Sequence, residues 1–479
     1  MKTIKIILLF LIISSGAFAQ NETDALRYSN LSFGGTARFA GMGGAFGALG
    51  ADFSTLSFNP AGIGLYKKSE ISFTPSFYIS NTKSLYQNNE SADSKLNLNV
   101  NNFGAIFSIK LGDESKKGWR NIQFGIGVNR TQNFNNRVLI EGDNHSNSLM
   151  TEYIARANGS KPKDLGDFNT GMAYDAYLLD PIGDSTHYTS PLANGGAFQR
   201  KSIETKGAMN EVVISFGGNY NDRLYIGATL GLTSLKYTEN SVYKETDVAD
   251  TIQNFNSFSL NDHLETTGSG INLKVGLIFR ATDWLRLGAA IHTPTYFYNM
   301  EDSYYTNLKS DVGALGTYNY ESPKGSFIYT MTTPFRAIGS IAFIIGPWGL
   351  ISADYEYVNY SDASLHSETD EFADVNDNIR NEYKGAGNLR VGTEWSIDIF
   401  KIRAGFAYYD SPYKTTVNDA SKMYFTGGFG FRQENFFADL AYVYGKSTDK
   451  YYLYDANLVP PSTNTNISHS VLITCGVRF

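Results

Sequence analysis

The sequence predicts an all-β protein, a transmembrane antiparallel β-barrel of about fourteen strands whose lumen is plugged by an N-terminal hatch segment. Three observations predict it. The chain opens on an export signal. It has no apolar run long enough for a membrane helix after that signal, although 42% of its residues are hydrophobic. Beyond residue 69, segment after segment alternates oily with small or polar residues at period two, the pattern of a strand between lipid and lumen.

Residues 1–19 read as a signal peptide: Lys2 and Lys5 form a basic start, Ile6 to Ile13 an apolar core, and Ala17-Phe18-Ala19 a small-x-small cleavage site. The core is too short to cross a bilayer, and no lipid-anchored cysteine follows it. The net charge of −7 becomes more acidic once Lys2 and Lys5 are removed, which excludes a nucleic-acid partner, because phosphate binding needs a basic face. The single cysteine, Cys475, excludes an internal disulfide and a cysteine-based metal site. The six histidines are scattered without ligand spacing, so no metal and no cofactor are expected.

Residues 20–68 precede the first strand. "GMGGAFGALG" resembles a phosphate-cradling loop at first sight, but Phe46 stands where the third glycine of G-x-G-x-x-G belongs. These residues are too few and too glycine-rich for a core of their own. Yet they carry Phe33, Phe39, Met42, Phe46, Phe53 and Leu56, which water disfavours. A plug tethered to strand one satisfies both facts, with a loose tail as the alternative. Asp52 is a helix N-cap candidate for a turn through Ser57, and Pro60 holds Asn59 extended and ends that turn.

Strands are expected at 69–80, 94–111, 119–140, 202–220, 223–241, 260–281, 284–300, 326–345, 349–362, 384–398, 399–412, 422–432, 434–451 and 467–479. In "INLKVGLIF", Ile271, Leu273, Val275, Leu277 and Phe279 face lipid and Lys274 faces inward. In "SVLITCGVRF", Val471, Ile473, Cys475, Val477 and Phe479 face lipid, and Leu472 is the misfit on the inner face. An even strand count is what closed single-chain bacterial barrels require. The connections alternate between tight turns ("ND", "ATD", "GPWG", "ID", "QEN") and long polar loops at 81–93, 242–259, 301–325, 363–383 and 452–466. The longest outer loop lies near 141–201. This asymmetry is that of a barrel in the outer membrane of a Gram-negative bacterium, with outer-membrane lipids around a monomer. Tyr296, Phe297, Tyr298, Tyr408, Tyr409, Tyr451 and Tyr452 fit an interfacial girdle.

By parity Lys274, Arg286, Arg336, Arg390, Arg403 and Arg478 point inward, as do Asp354, Glu356, Glu394 and Asp439. They form either a charge network bracing the wall or an anchor for an anionic ligand head. In "SNSLMTEYIARANG", Ser148 caps a helix with Leu149, Met150, Tyr153, Ile154 and Ala157 on one face. That face either gathers an oily ligand or packs against other loops.

Gly44-Ala45, Asp52, Ser54 and Asn59-Pro60-Ala61-Gly62, in this order and spacing, resemble the N-terminal hatch of the outer-membrane long-chain fatty acid and hydrocarbon transporters of the FadL/TodX type. "WLRLGAAIHTPTY" and "LRVGTEW…IRAGFAYYDSPY" are looser matches, and the resemblance covers the whole mature chain. The glycine density of "GMGGAFGALG" and the long 141–201 loop depart from the family. The resemblance implies a hatch-gated barrel that captures an apolar ligand at its outer loops and holds it beside the hatch. Release follows sideways into the membrane, where the third strand (119–140) bends inward, with Gly125 and Gly127 as candidate bend residues. Asn59, Pro60, Ala61 and Gly62 are then the gate. Phe33, Phe39, Met42, Phe46, Leu149, Tyr153, Arg390 and Arg403 are the candidate contacts to a hydrophobic small molecule. Enzyme chemistry is not expected, since neither His292 nor His469 sits in a recognisable motif. A surface receptor or adhesin barrel without transport is the alternative, with haem as a variant cargo.

Overall fold

The computed structural model describes residues 21–32, 34–111, 117–369, 371–415 and 418–479. The expected signal peptide and Phe33 lie outside the described residues.

Fourteen antiparallel strands close into a barrel: β1 (Glu70–Tyr86), β2 (Asn89–Lys110), β3 (Trp119–Asn133, continued by Asn136–Asn144), β4 (Ala197–Tyr220), β5 (Leu224–Thr246), β6 (Ser257–Arg280), β7 (Leu285–His292 and Tyr296–Asp311), β8 (Thr317–Glu321, Gly325–Thr332 and Arg336–Ile345), β9 (Gly349–Asn359), β10 (Gly385–Ile397), β11 (Phe400–Tyr409), β12 (Lys422–Gln433), β13 (Phe436–Tyr451) and β14 (Ser462–Arg478). β1 pairs with β14 from Glu70↔Arg478 to Leu85↔Thr463, so the sheet has no free edge along this seam. Closure matters because an unpaired backbone group in hydrocarbon costs several kcal/mol. Ser69 and Phe479 exchange backbone hydrogen bonds below this pair, so both ends of the barrel meet at its short-turn end.

Period-two patterning sorts the two faces as expected. Ile271, Leu273, Val275, Leu277 and Phe279 are exposed on the outside of β6, while Asn272 and Lys274 are buried inside. The inward Leu472 is buried against Phe39 and Met42 of the N-terminal segment, which explains why an oily residue sits on that face. Three girdle positions are corrected: Phe297 is fully buried on the inner face, Tyr409 packs inward beside Tyr424, and Tyr451 packs against the buried cluster under the mouth loops. Tyr296 and Tyr298, the neighbours of Phe297, are exposed, as alternation requires.

Several polar stretches expected as loops are strand. Residues 81–93 continue the β1–β2 hairpin, which turns only at Gln87 and Asn88, both in the left-handed region at φ 50° and 62°. Inside the barrel Ser80 and Thr82 bond Asn136, and Tyr86 bonds Gln199. Two strands expected to be continuous are broken instead. Thr293-Pro294-Thr295 interrupts β7 and Thr333-Pro334-Phe335 interrupts β8, because proline has no N–H to give the ladder.

β3 makes the largest departure from a regular wall. Its ladder with β2 runs only from Asn102↔Asn129 to Lys110↔Asn121. Beyond a bulge at Arg130/Gln132 it follows β4 alone, through Asn136↔Thr205 to Asn144↔Ala197. The outer half of β2 therefore pairs with β1 alone. Asn136 bonds Ser80 and Thr82 from the inner side of β1, so the continuation of β3 passes behind the wall. Gly125 and Gly127 do not make this bend, since both lie in the regular β2–β3 ladder. A Cβ on Gly127 would meet the Phe53 ring at 2.6 Å, and one on Gly125 would meet Leu56 at 3.0 Å. Their small size makes room for the N-terminal segment.

Candidate functional site

Residues 21–32 and 34–66 lie inside the barrel with four short helical turns: α1 (Glu22–Ser29), α2 (Ala37–Gly41) and 3₁₀ turns at Phe53–Ser57 and Pro60–Leu65. Each start is capped by a side chain from the sequence. Asn21 and Asp24 form a reciprocal capping box, and Thr36 accepts from the Phe39 amide. Asp52 accepts from the Ser54 amide at 3.0 Å, and Asn59 from the Ala61 amide at 3.1 Å. Asn59 is extended and Pro60 begins the last turn, as the dipeptide predicts.

The segment is fastened to the wall along its length. Asp354 of β9 accepts from the amides of Phe46 (3.0 Å) and Gly47 (2.9 Å). Glu394 of β10 takes a bidentate pair from Arg38 at 3.0 and 3.1 Å. The Ala37 amide donates to Thr474, Thr426 donates to the Gly41 carbonyl, and His292 Nε2 donates to the Phe58 carbonyl at 2.7 Å. Arg336 donates to the Ser29 carbonyl. Asn59 donates to the carbonyls of Gly47 and of Leu277 in β6, which places the Asn-Pro-Ala-Gly stretch against β4–β6. Burial pushes the Asp24 carboxyl up to about 6, with Arg27 opposing the shift and Asp302 adding to it.

The glycines allow this close approach. A Cβ on Gly276 would fall 1.9 Å from Asn59 Oδ1, and one on Gly227 would fall 2.2 Å from the Pro60 carbonyl oxygen. One on Gly288 would fall 2.1 Å from the Gly47 oxygen, and one on Gly392 would fall 2.3 Å from that of Met42. The inner wall is thus smooth where the backbone of the N-terminal segment lies on it.

The inward charges are paired with one another. Arg403 holds Glu394 (2.6 Å) and Asp439 (2.7 Å); Arg390 holds Glu356 (2.9 Å) and lies 3.9 Å from Asp354. Arg336 holds Glu356 at 2.6 Å, and Lys274 pairs with Glu211. Arg390 and Arg403 are 1% and 2% exposed, so they sit in the bracing network rather than on an open surface. Phe39, Met42 and Phe46 are fully buried between segment and wall, packed with Ala342, Ala407 and Ala441. Arg390 lies over the Phe58 ring, which itself packs against Phe39 in a tilted pair at 4.7 Å. Sequence reasoning missed the two cross-ties, Arg38–Glu394 and Asp354 to the Phe46-Gly47 amides, because a residue's facing partner 300 positions away leaves no local signal.

At the long-loop end, residues 145–196 fold over the mouth. Ser148 caps α3 (Leu149–Ala157), and Glu245 of β5 accepts from both the Ser148 hydroxyl and the Leu149 amide. Leu149, Met150, Tyr153 and Ala157 are buried against Met172, Leu178, Tyr243, Phe258 and neighbouring loop residues. The apolar face of α3 therefore packs locally. Tyr153 also borders an outer cavity of about 380 Å³, shared with Phe168, Asp262, His263 and Tyr304.

A second cavity, of about 270 Å³, lies in the lumen where β3 leaves the wall. It is bounded by the "NRTQNFNNR" stretch of β3, the inner faces of β1, β2 and β12–β14, and Ser32 and Gly34 of the N-terminal segment. Outside it, Leu96 and Leu98 of β2 are 64% and 65% exposed, beside the stretch where β2 and β3 share no ladder. That asparagine run, which breaks the alternation of "IQFGIGV", was the available sequence signal for this site.

Among the described residues no cluster of three or more His, Cys, Asp or Glu is placed to hold a metal. No protein-family model and no curated protein matches the chain. Solved structures do match it. A Pseudomonas aeruginosa FadL homologue superposes with a TM-score of 0.56 at 13% identity, over 94% of this chain and 99% of that one. The Pseudomonas putida toluene transporter TodX gives 0.56 at 13% identity, covering 93% and 99%. The Ralstonia pickettii toluene transporter TbuX gives 0.52 at 15% identity, covering 93% and 98%. At these identities what is shared is architecture: the chain has the fourteen-stranded barrel fold of FadL- and TodX-type transport proteins.

Proposed function

We propose that this protein carries hydrophobic and amphiphilic small molecules across a bacterial outer membrane, with residues 21–66 as the hatch and lateral release beside β3. The observation that carries this reading is a lumen blocked by a wall-anchored segment next to an interruption in the β2–β3 ladder. A plugged barrel offers no aqueous path, and a break in the ladder opens toward lipid rather than toward the far end. Burying a ten-carbon tail contributes roughly 8 kcal/mol at ~0.8 per methylene, enough to draw such ligands from water. The solved neighbours named as toluene transporters agree with this direction of use. Asn59, Pro60, Ala61 and Gly62 hold the hatch to β4–β6. Phe39, Met42 and Phe46 hold it to the wall, and Arg390 and Arg403 brace that wall. Ligand then passes along the β3 side, and Leu149 and Tyr153 shape its entrance.

The test is uptake of radiolabelled toluene and oleate by cells that lack their own hydrophobic uptake barrel. Cells producing the wild type take up at least one of these above the barrel-free background. Deleting Phe134 and Asn135, which straightens β3, abolishes the gain while the barrel stays folded. Uptake unaffected by this deletion refutes lateral release; no uptake by the wild type refutes transport.

A further inference from the structure

We propose that the outside of the wall over β1, β13 and β14 is a lipid-phosphate site. Lys83, Lys446 and Lys450 take the phosphorylated head of an outer-leaflet glycolipid, whose acyl chains lie along the oily wall below. This goes beyond transport and asks only that the barrel sit in an outer membrane with its long loops outward.

Strand register brings the three lysines together. Lys83 of β1 pairs with Thr465 of β14, which pairs on its other side with Thr448 of β13. Lys446 and Lys450 stand two residues to either side of Thr448. All three lysines are exposed, and each continues the lipid-facing positions of its strand, after Phe77 and Ile79 in β1 and after Leu440 and Tyr442 in β13. At ~4.8 Å between strands and ~3.3 Å per residue, their Cα atoms form a triangle with sides of roughly 12–13 Å. Thr465 sits at its centre and Thr448 on one side.

The wall beneath shows the height of this triangle. Tyr442 and Tyr444 pack their rings against His469, and the Tyr442 hydroxyl oxygen lies 2.7 Å from His469 Nδ1. Amphipathic rings of this kind mark the boundary between membrane and water. Below them Phe77, Ile79, Leu440 and Ile473 are exposed to lipid. The ammonium groups therefore stand at the level of lipid phosphates, with an apolar surface for acyl chains directly underneath.

Charge sets the patch apart from the rest of the wall. Among the described residues the side chains of Lys83, Lys446 and Lys450 have no ion-pair or hydrogen-bond partner. Exposed cations in the outer halves of β4 and β5 are neutralised instead: Arg200 lies 3.3 Å from Glu141, Lys206 2.9 Å from Glu204 and Lys236 3.1 Å from Glu265. Asp449, although between Thr448 and Lys450, faces inward and is held by Asn464 and Asn466. Clustered lysines at a membrane surface attract anionic lipid heads, and charge-assisted hydrogen bonds to phosphate are the strong ones. Three cations spread this widely fit a head that carries more than one phosphate on a sugar frame, rather than a single phosphodiester.

The test is native mass spectrometry of the intact detergent-solubilised protein, titrated with bis-phosphorylated lipid A, the same lipid without phosphates, and phosphatidylglycerol. The wild type binds the bis-phosphorylated lipid at least tenfold more tightly than either of the others. Lys83→Gln, Lys446→Gln and Lys450→Gln together remove this margin, whereas the three matching arginine replacements keep it. Lys236→Gln, at a paired lysine, leaves it unchanged. Lys446→Gln alone, a single exposed change that the fold tolerates, narrows the margin at least threefold. Equal affinity for the phosphorylated and phosphate-free lipids in the wild type overturns the site, as does a margin that survives Lys446→Gln or the triple variant. Phosphatidylglycerol bound as tightly as the bis-phosphorylated lipid overturns the glycolipid and makes this a general anionic-lipid surface.

Discussion

Asp354→Ala tests whether the N-terminal segment inside the barrel is held by its anchors. The Asp354 carboxylate is buried and is the only side chain that accepts from the Phe46 and Gly47 amides among the described residues. Removing it deletes two charge-assisted bonds and strands two buried N–H groups, at about 1.5–3 kcal/mol for each bond to a charged group. The Phe39–Phe46 packing is untouched, so the loss falls on the local docking of residues 40–50 rather than on the barrel. A loss of about 3 kcal/mol corresponds to roughly two decades of opening equilibrium at ~1.4 kcal/mol per tenfold. Hydrogen exchange by mass spectrometry in nanodiscs reads this directly: the amides of Phe46 and Gly47 exchange about a hundredfold faster, while the β9–β10 ladder keeps its protection. Asp354→Asn, which retains one acceptor oxygen, falls between. Exchange at these two amides within threefold of wild type refutes the anchoring argument.

Gly276→Ala drives a methyl into Asn59 Oδ1, 1.9 Å from the added carbon, so the cap on Ala61 is lost. A lost N-cap costs about 1 kcal/mol, and protection of residues 59–65 drops at least fivefold in the same experiment. Arg403→Ala removes the cation that Glu394 and Asp439 share and leaves each with one, Arg38 and Arg432. Because each carboxylate keeps one arginine, the cost falls below the about 3–5 kcal/mol of a fully broken buried pair, seen as a lower urea midpoint of the barrel, and Arg403→Met is milder. Met150→Asp places a charge in the fully buried face of α3; residues 145–196 become sensitive to limited proteolysis while the barrel's heat-resistant gel mobility is retained. The raised pKa of Asp24 means that the docked α1 binds the proton more tightly than the free segment does. Docking of α1 therefore strengthens as pH falls through about 6 toward 4 and is flat above 7, read as exchange of the Leu26–Tyr28 amides.

The barrel was legible because its pattern is local. Lipid outside and a packed lumen inside impose period two on every strand, so Ile271 to Phe279 and Val471 to Phe479 declare their outer faces without a partner. Turn chemistry was local too, as Asn221-Asp222 and Asp52 with Asn59-Pro60 show. The polar strand ends were not legible. Ser80 and Thr82 look like loop residues until Asn136, brought behind β1 by the bend of β3, supplies their partner. The same holds for charge: alternation put Arg390 and Arg403 on the inner face, but only the closed barrel tells them from Lys422. Arg390 and Arg403 meet carboxylates across adjacent strands, and Lys422 meets an open cavity. The sequence by itself determined which side of the wall each residue takes, since burial against lipid is a one-dimensional alternation. Only the tertiary structure decided which inner cations are neutralised and where the wall is interrupted, because both depend on register between strands distant in the chain.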